Sequence, residues 1–93
     1  MEVENNQGNH RFELRVGEHV AFLTYRLSGA TIRLNHTEVP EALRGQGMGD
    51  RLAHAALEYA REHGLTVAPI CPFVQAYIKK HPEYAALVAG GDA

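Results

Sequence analysis

The chain has 93 residues, 45% of them hydrophobic, and a formal net charge of −2 from 9 basic and 11 acidic residues. This length predicts one compact domain, and the near balance of charge argues against binding to the nucleic acid backbone. Because the chain has one cysteine, no signal-like start and no apolar run near the roughly 20 residues of a bilayer span, we expect a cytoplasmic protein with no membrane partner.

The predicted elements begin after residues 1–9, which carry few apolar groups and are expected to form a flexible tail. From 11 to 16, apolar and charged residues alternate, which is typical of a strand with one buried face. A nearly apolar run over 20–27 predicts a central strand, and a third strand is predicted over 31–39, where Pro40 ends it. The short connections predict a three-stranded antiparallel meander.

The hydrophobic period changes to 3.6 between residues 48 and 63, which predicts an amphipathic helix lying on the sheet. Gly64 stands where a left-handed cap would end this helix. Residues 65–70 then predict a short strand, parallel to the third strand because crossovers are right-handed. A second helix is predicted over 72–80, followed by a helical turn over 82–88.

These elements predict an α+β layered domain over residues 10–88, with a C-terminal tail over 89–93. Apart from His36, the histidines fall on unrelated elements without ligand spacing, so no metal site is expected; they are His10, His19, His54, His63 and His81. An open sheet with an exposed edge strand favours a monomer or a weak homodimer.

Gly45, Gly47 and Gly49 lie between the end of the third predicted strand and the start of the first predicted helix. A helix start leaves about four backbone N–H groups unpaired and carries about half a positive charge, so a turn without Cβ atoms lets phosphate oxygens approach those donors. Arg44 adds a cation that matches phosphate geometry. A dinucleotide fingerprint would need glycine where Asp50 stands, and no P-loop motif is present. The turn is interpreted as an anion-binding site, with a plain flexible connection as the alternative.

The segment from Arg44 to Gly49 resembles the signature of the GCN5-related N-acetyltransferase superfamily, in which this turn binds the pyrophosphate of acetyl-coenzyme A (acetyl-CoA). The chain is still more similar to a small N-acetyltransferase-like subgroup, which has His-Thr-Glu-Val-Pro before the turn, here 36–40. In that subgroup Cys-Pro-Phe-Val and Lys-His-Pro-Glu-Tyr follow the turn, here 71–74 and 80–84. The resemblance implies a minimal acyl-CoA N-acyltransferase fold. It also implies acetyl-CoA as the cofactor, held at the turn by Arg44, Gly45, Gln46, Gly47, Met48 and Gly49.

The resemblance further implies that the third and fourth predicted strands diverge at their ends and hold the pantetheine arm of the cofactor between them. On this chain the arm would run beside the backbone of Glu38 and Val39. Phe73 and Tyr77, on the second predicted helix, would line the opposite wall. Pro40 agrees with this arrangement, because it stops further strand pairing and leaves a strand end that can accept a ligand.

Cys71 directly precedes Pro72 and is expected at the start of the second helix, where the helix dipole lowers a thiol pKa. It could attack a thioester to give an acetyl-cysteine, or protonate the departing thiolate of coenzyme A. The alternative is that it is a small buried hydrophobic residue. Direct attack by the amine is the commoner superfamily mechanism and our default hypothesis.

Strict alternation along the third predicted strand places Ile32, Leu34, His36 and Glu38 on one face. A base and its orienting carboxylate could therefore both point into the cleft. The alternative is a pair of polar residues on a half-exposed sheet. For Tyr84 a packing role is expected.

The resemblance leads us to predict an N-acetyltransferase that moves acetyl from acetyl-CoA to a primary amine, either a small molecule or a protein lysine or N-terminus. Larger members of the superfamily have inserted helices that form the acceptor pocket, and this chain lacks them. The alternative is therefore a non-catalytic acyl-CoA-binding or sensing module.

Overall fold

The computed structural model describes residues 2–89. Within them, five strands form one sheet in the order β1-β2-β3-β4-β5. The strands are β1 Glu4–Asn6, β2 Arg11–Val16, β3 His19–Ser28, β4 Thr31–Glu38 and β5 Thr66–Pro69. The helices are α1 Met48–Glu62 and α2 Pro72–Lys80, with short 3₁₀ turns at Gln7–Asn9, Glu41–Leu43 and Pro82–Leu87. None of these helices has the length and apolar content of a membrane span.

Strands β1 to β4 form an antiparallel meander, in which each strand pairs with the next one along the chain. Strand β5 returns through α1 and pairs parallel to β4, from Thr31 opposite Thr66 to Leu34 opposite Pro69. The predicted α+β class and the parallel strand are confirmed, and the three predicted strands of the meander are present with β1 added as a fourth.

Both helices pack on the same face of the sheet, where the hydrophobic core lies. Helix α1 can approach the sheet closely because the residues on its buried side include three small ones. These are Ala53, Ala56 and Ala60, and all three are fully buried. The helix ends just before Gly64, whose φ of 67° is left-handed and free of strain only for glycine. The other face of the sheet carries mostly exposed polar and charged side chains, and we call it the outer face.

The N-terminal segment differs from the expected flexible tail. Glu4–Asn6 pairs with β2 as an edge strand, and a 3₁₀ turn follows it. Asn5 Oδ1 accepts a hydrogen bond of 2.7 Å from the Tyr25 hydroxyl, and Asn6 Nδ2 donates to Glu13 Oε2 at 3.1 Å. The segment is therefore attached by asparagine hydrogen bonds, whereas the sequence argument counted only its apolar groups. Met1 lies outside the described residues.

At the other end of the chain, Val88 forms a parallel bridge with Val67, and the Ala89 amide donates to the Val67 carbonyl at 2.7 Å. The chain thus begins to pair along the outer edge of β5. The rest of the expected C-terminal tail, residues 90–93, lies outside the described part of the chain.

Glu13 is the charged residue most deeply buried in the described chain, with 2% of its surface exposed. Its carboxylate accepts hydrogen bonds from Arg11 Nε at 2.6 Å and Arg15 Nη2 at 3.2 Å, in addition to the one from Asn6. Burial alone would raise the pKa of Glu13, but the bonds from Arg11 and Asn6 and the two nearby positive charges outweigh it, so the pKa lies below 4.5.

We expect Glu13→Gln to lower the free energy of unfolding at neutral pH by about 1 to 3 kcal/mol, because it removes charge-assisted hydrogen bonds from a buried site. A depressed folded-state pKa contributes stability above the unfolded pKa, and that stability is lost as the pH falls through the folded value. The gap between wild type and variant should therefore shrink below pH 4.5. Urea unfolding from pH 7 to pH 2 measures it. Glu18→Gln, on the exposed turn after β2, is the control and should show no such gap. If the free energy of unfolding of Glu13→Gln stayed below that of wild type by the same amount at every pH, the role given to Glu13 would be contradicted.

Candidate functional site

The site forms where β4 and β5 diverge. Leu34 is the last β4 residue with a β5 partner, and its carbonyl also accepts a 2.9 Å hydrogen bond from the Cys71 amide. The chain then enters α2 at Pro72, while β4 continues to Glu38 with β3 as its strand neighbour. The two strands therefore leave a gap between them, as the resemblance implied.

Strand β4 carries a β-bulge inside this gap. Leu34 lies opposite Tyr25 and His36 lies opposite Thr24, so Asn35 is an extra residue on β4. A bulge of this kind interrupts the alternation of side chains between the two faces of a sheet. The faces expected from the sequence are therefore reversed beyond Asn35.

Residues directly opposite each other in an antiparallel pair point to the same face. Thr37 lies opposite the fully buried Leu23 and so faces the helices. His36 and Glu38 alternate with Thr37 and lie on the outer face, where Glu38 is opposite Phe22. They share a face, as predicted, and His36 Nε2 lies 2.9 Å from Glu38 Oε1. Their predicted position on the face of Ile32 and Leu34 is wrong, because the bulge moves them to the other side.

A cavity of about 480 Å³ opens beside the end of β4, between the glycine turn and the starts of both helices. Its lining combines the end of a strand, a turn and an aromatic ring. The residues that line it are Thr37, Glu38, Val39, Leu43, Arg44, Gly45, Gly47, Met48, Gly49, Asp50 and Phe73.

Two glycines of the turn are required by the backbone. Gly45 has φ 81° and Gly47, which precedes the first residue of α1, has φ 76°. A Cβ at either position would meet nothing within 4 Å, so conformation and not crowding demands glycine there. Gly49 differs, because its Cβ would lie 2.6 Å from Cζ of Phe73. It therefore allows the start of α2 to pack closely on α1.

The backbone amides of this turn have no hydrogen-bond partner in the described part of the chain. Within residues 2–89, the amides of positions 45–50 form no hydrogen bond, and Arg51 provides the first one of α1, to the Gly47 carbonyl at 3.1 Å. Gly47 gives the helix no side-chain cap. These donors at the positive end of a helix dipole can bind an anion. Arg44 flanks these amides, and its Nε donates a hydrogen bond to the Val39 carbonyl at 3.1 Å. Gln46 is exposed and does not line the cavity.

Cys71 caps the start of α2 and is 4% exposed. Its Sγ lies 3.4 Å from Oγ1 of Thr37, which lines the cavity, as does Phe73. Burial alone would raise the pKa of the Cys71 thiol, but hydrogen bonds from the Thr37 side chain and from the backbone amides of Val74, Phe73 and Thr37 outweigh it and lower the pKa. The thiol is therefore acidified and lies behind the cavity wall.

The two aromatic residues expected to line one wall are separated in the structure. Phe73 is 40% exposed and lines the cavity. Tyr77 is 8% exposed, stacks on His81 with ring centres 4.2 Å apart, and borders a second depression near Arg51 and His54. Spacing along a helix did not reveal this difference, because it depends on how far α2 is rotated against α1.

Thr37 is the residue that sequence reasoning missed. It contacts Cys71 and lines the cavity. Strict alternation placed its side chain away from the core face, and no residue type in β4 indicates the bulge that reverses this. Tyr84 is buried as expected, and its hydroxyl donates to Glu58 Oε2 at 2.5 Å and lies 3.1 Å from His54 Nδ1. No group of described side chains is arranged to hold a metal ion.

The chain is similar to known proteins over nearly its whole length. A family model described as GCN5-related N-acetyl-transferase matches residues 11–87. Protein NATD1 of Xenopus tropicalis is 39% identical over 83 residues, which span 86% of this chain and 76% of that protein. Protein NATD1 of Homo sapiens is 40% identical over 83 residues, 86% of this chain and 74% of that protein. The NMR structure of a GCN5-like protein from Staphylococcus aureus is 32% identical, with a TM-score of 0.74, and the match covers 98% of this chain and 90% of that one.

Proposed function

Because this chain belongs to the GCN5-related N-acetyltransferase family, we propose that it transfers the acetyl group of acetyl-CoA to a primary amine. The observation that carries the proposal is the glycine turn, whose unpaired amides open into the cavity beside the divergent end of β4.

The turn suits the pyrophosphate of acetyl-CoA. Several amides converge at the start of α1, the conformations of Gly45 and Gly47 leave space for phosphate oxygens, and Arg44 adds a positive charge. The guanidinium is held beside the cavity by its bond to the Val39 carbonyl.

The cavity suits the pantetheine arm. Its volume of about 480 Å³ lies within the roughly 300 to 1,000 Å³ that is usual for small-molecule sites. The backbone of Glu38 and Val39 forms one wall and has no β5 neighbour, so amide groups of the arm can pair with it as an added strand would. Phe73 packs on the other side.

In the reaction, the amine nitrogen bonds to the acetyl carbon, the carbon–sulfur bond breaks, and the sulfur leaves with the electron pair and accepts a proton. His36, oriented by Glu38, can accept the proton that the amine loses. The acidified Cys71 thiol can supply a proton to the leaving sulfur through the hydroxyl of Thr37, which lies between the thiol and the cavity. Direct attack by the amine remains our mechanism, and an acetyl-Cys71 intermediate is the alternative.

A non-catalytic acyl-CoA-binding module is the second candidate function. It is favoured by the exposure of the proposed base pair, because the side chains of His36 and Glu38 are 61% and 49% exposed. Such a module would use the same turn and cavity but would not release coenzyme A.

Titration with acetyl-CoA and with S-acetylpantetheine, which lacks the diphosphate, tests the binding proposal. We expect acetyl-CoA to bind much more tightly and to shift the amide NMR signals of residues 45–50. Equal affinity for the two compounds, or no shift at the turn, would remove the assignment. Release of free thiol with a panel of amines then separates the transferase from the binding module.

A further inference from the structure

The outer face of the sheet carries arginines in two different electrostatic settings. Arg11 and Arg15 flank Glu13, and both form ion pairs with its carboxylate. Arg26 and Arg33 lie directly opposite each other on β3 and β4, and both are exposed. Within residues 2–89 the side chain of neither Arg26 nor Arg33 forms an ion pair or a hydrogen bond.

In the absence of a bound anion, this arginine pair destabilises the sheet. Like charges directly opposite on neighbouring strands repel each other. Guanidinium groups bind carboxylates strongly and with defined geometry, so a carboxylate between Arg26 and Arg33 would relieve the repulsion. The pair therefore has the properties of an anion-binding site.

The pair also lies close to the gap. Arg33 is opposite Ala68 of β5, just before the two strands diverge after Leu34. His36 is three positions further along β4 on the same face, and at about 3.3 Å per residue its Cα is roughly 10 Å from that of Arg33. The anion site and the proposed base thus lie side by side on the outer face.

The gap connects this face with the cavity on the helix side. Thr37 points to the cavity, while its neighbours His36 and Glu38 point outward. A donor held at the glycine turn and an acceptor on the outer face can therefore approach each other through the gap from opposite sides.

We propose that the outer face is the acceptor-docking surface and that it selects a lysine in an extended acidic protein segment, with a carboxylate on Arg26 and Arg33. This inference rests on the proposed acetyl transfer. An extended segment fits better than a small molecule, because the face is open and its charges are spaced along a strand, whereas small ligands bind in concave sites. The two cavities described above, which could hold a small molecule, lie elsewhere, one beside the glycine turn and the other along the helices. Side chains on one face of an extended peptide repeat every second residue, so a carboxylate roughly 10 Å from the reacting amine belongs to a residue two or four positions from the lysine.

The test uses peptides that contain one lysine, with glutamate two or four residues before or after it, and matched peptides with glutamine. We expect the best glutamate peptide to exceed its glutamine partner about 5- to 10-fold in kcat/KM, mainly through KM, with the preference weakening as salt is added. The double variant Arg26→Gln/Arg33→Gln should lose the preference. Arg15→Gln, on the same face but paired with Glu13, is the control and should keep it.

NMR titration of the acetyl-CoA-loaded protein separates this inference from the proposed function. Shifts confined to β3 and β4 with the glutamate peptide support the docking surface even if no amine releases thiol, an outcome that would sink acetyl transfer alone. Thiol release without discrimination between the peptides would overturn the docking surface and leave the transferase intact. Preferential binding of a small acidic amine or of single-stranded RNA would also overturn it.

Discussion

Replacement of Cys71 by alanine is expected to lower kcat about 10²- to 10⁴-fold, the usual contribution of a positioned proton donor or nucleophile. Affinity for acetyl-CoA should remain nearly unchanged, because the thiol lies behind Thr37 and does not line the cavity. Steady-state kinetics together with calorimetric titration measures both quantities.

The pH profile and the mass of the protein decide which role Cys71 has. A proton donor must be protonated, so kcat should fall as the pH rises through the lowered pKa of Cys71, and this limb should vanish in Cys71→Ala. A nucleophilic thiolate would give the opposite slope. It would also leave one acetyl group on the protein when acetyl-CoA is mixed with it in the absence of amine. Full turnover by Cys71→Ala would remove both roles.

Replacement of Gly47 by alanine is expected to weaken acetyl-CoA binding about 10- to 100-fold, equivalent to losing about one hydrogen bond to a charged group. Gly47 has φ 76°, a conformation that costs a residue with a Cβ about 1 to 2 kcal/mol. Relief of that strain would rotate the amides at the start of α1 away from the phosphates. The added methyl group would also occupy open space where the phosphate oxygens must approach.

Gly64→Ala provides a matched control for this experiment. Gly64 has φ 67°, and its Cβ would also meet nothing within 4 Å, but it lies at the opposite end of α1. Both variants should lose similar stability in thermal unfolding, and Gly47→Ala alone should lose affinity. Equal affinity in the two variants would mean that the turn does not hold the diphosphate.

Much of the fold could be predicted because its elements have clear periods and clear boundaries. The helix expected over 48–63 is Met48–Glu62, and the second helix begins at Pro72 and ends at Lys80 as expected. Proline and glycine mark these ends through backbone geometry that does not depend on tertiary contacts. The glycine turn was recognised for the same reason, since the spacing of its glycines before a helix is a local property.

The remaining features depend on contacts that a one-dimensional pattern does not contain. Strand β1 is held by asparagine hydrogen bonds to Tyr25 and Glu13, which are distant along the chain or on another strand. The separation of Phe73 from Tyr77 follows from the packing of α2 against α1, where Gly49 gives space to the Phe73 ring. Hydrophobic patterns predict that a face is buried and not which residue on it borders a cavity.

The bulge at Asn35 decides which side chains at the end of β4 face the helices and which lie on the outer face. Without this residue, every side chain beyond it would change sides: Thr37 would leave the acidified thiol, and two ionisable groups, His36 and Glu38, would be driven into the hydrocarbon layer under the helices. Deleting one residue in a hairpin turn shortens a loop, whereas deleting Asn35 would exchange the inner and outer side chains of the candidate site. Sequence alignments of relatives that shift by one position across this strand would therefore compare residues from opposite sides of the sheet.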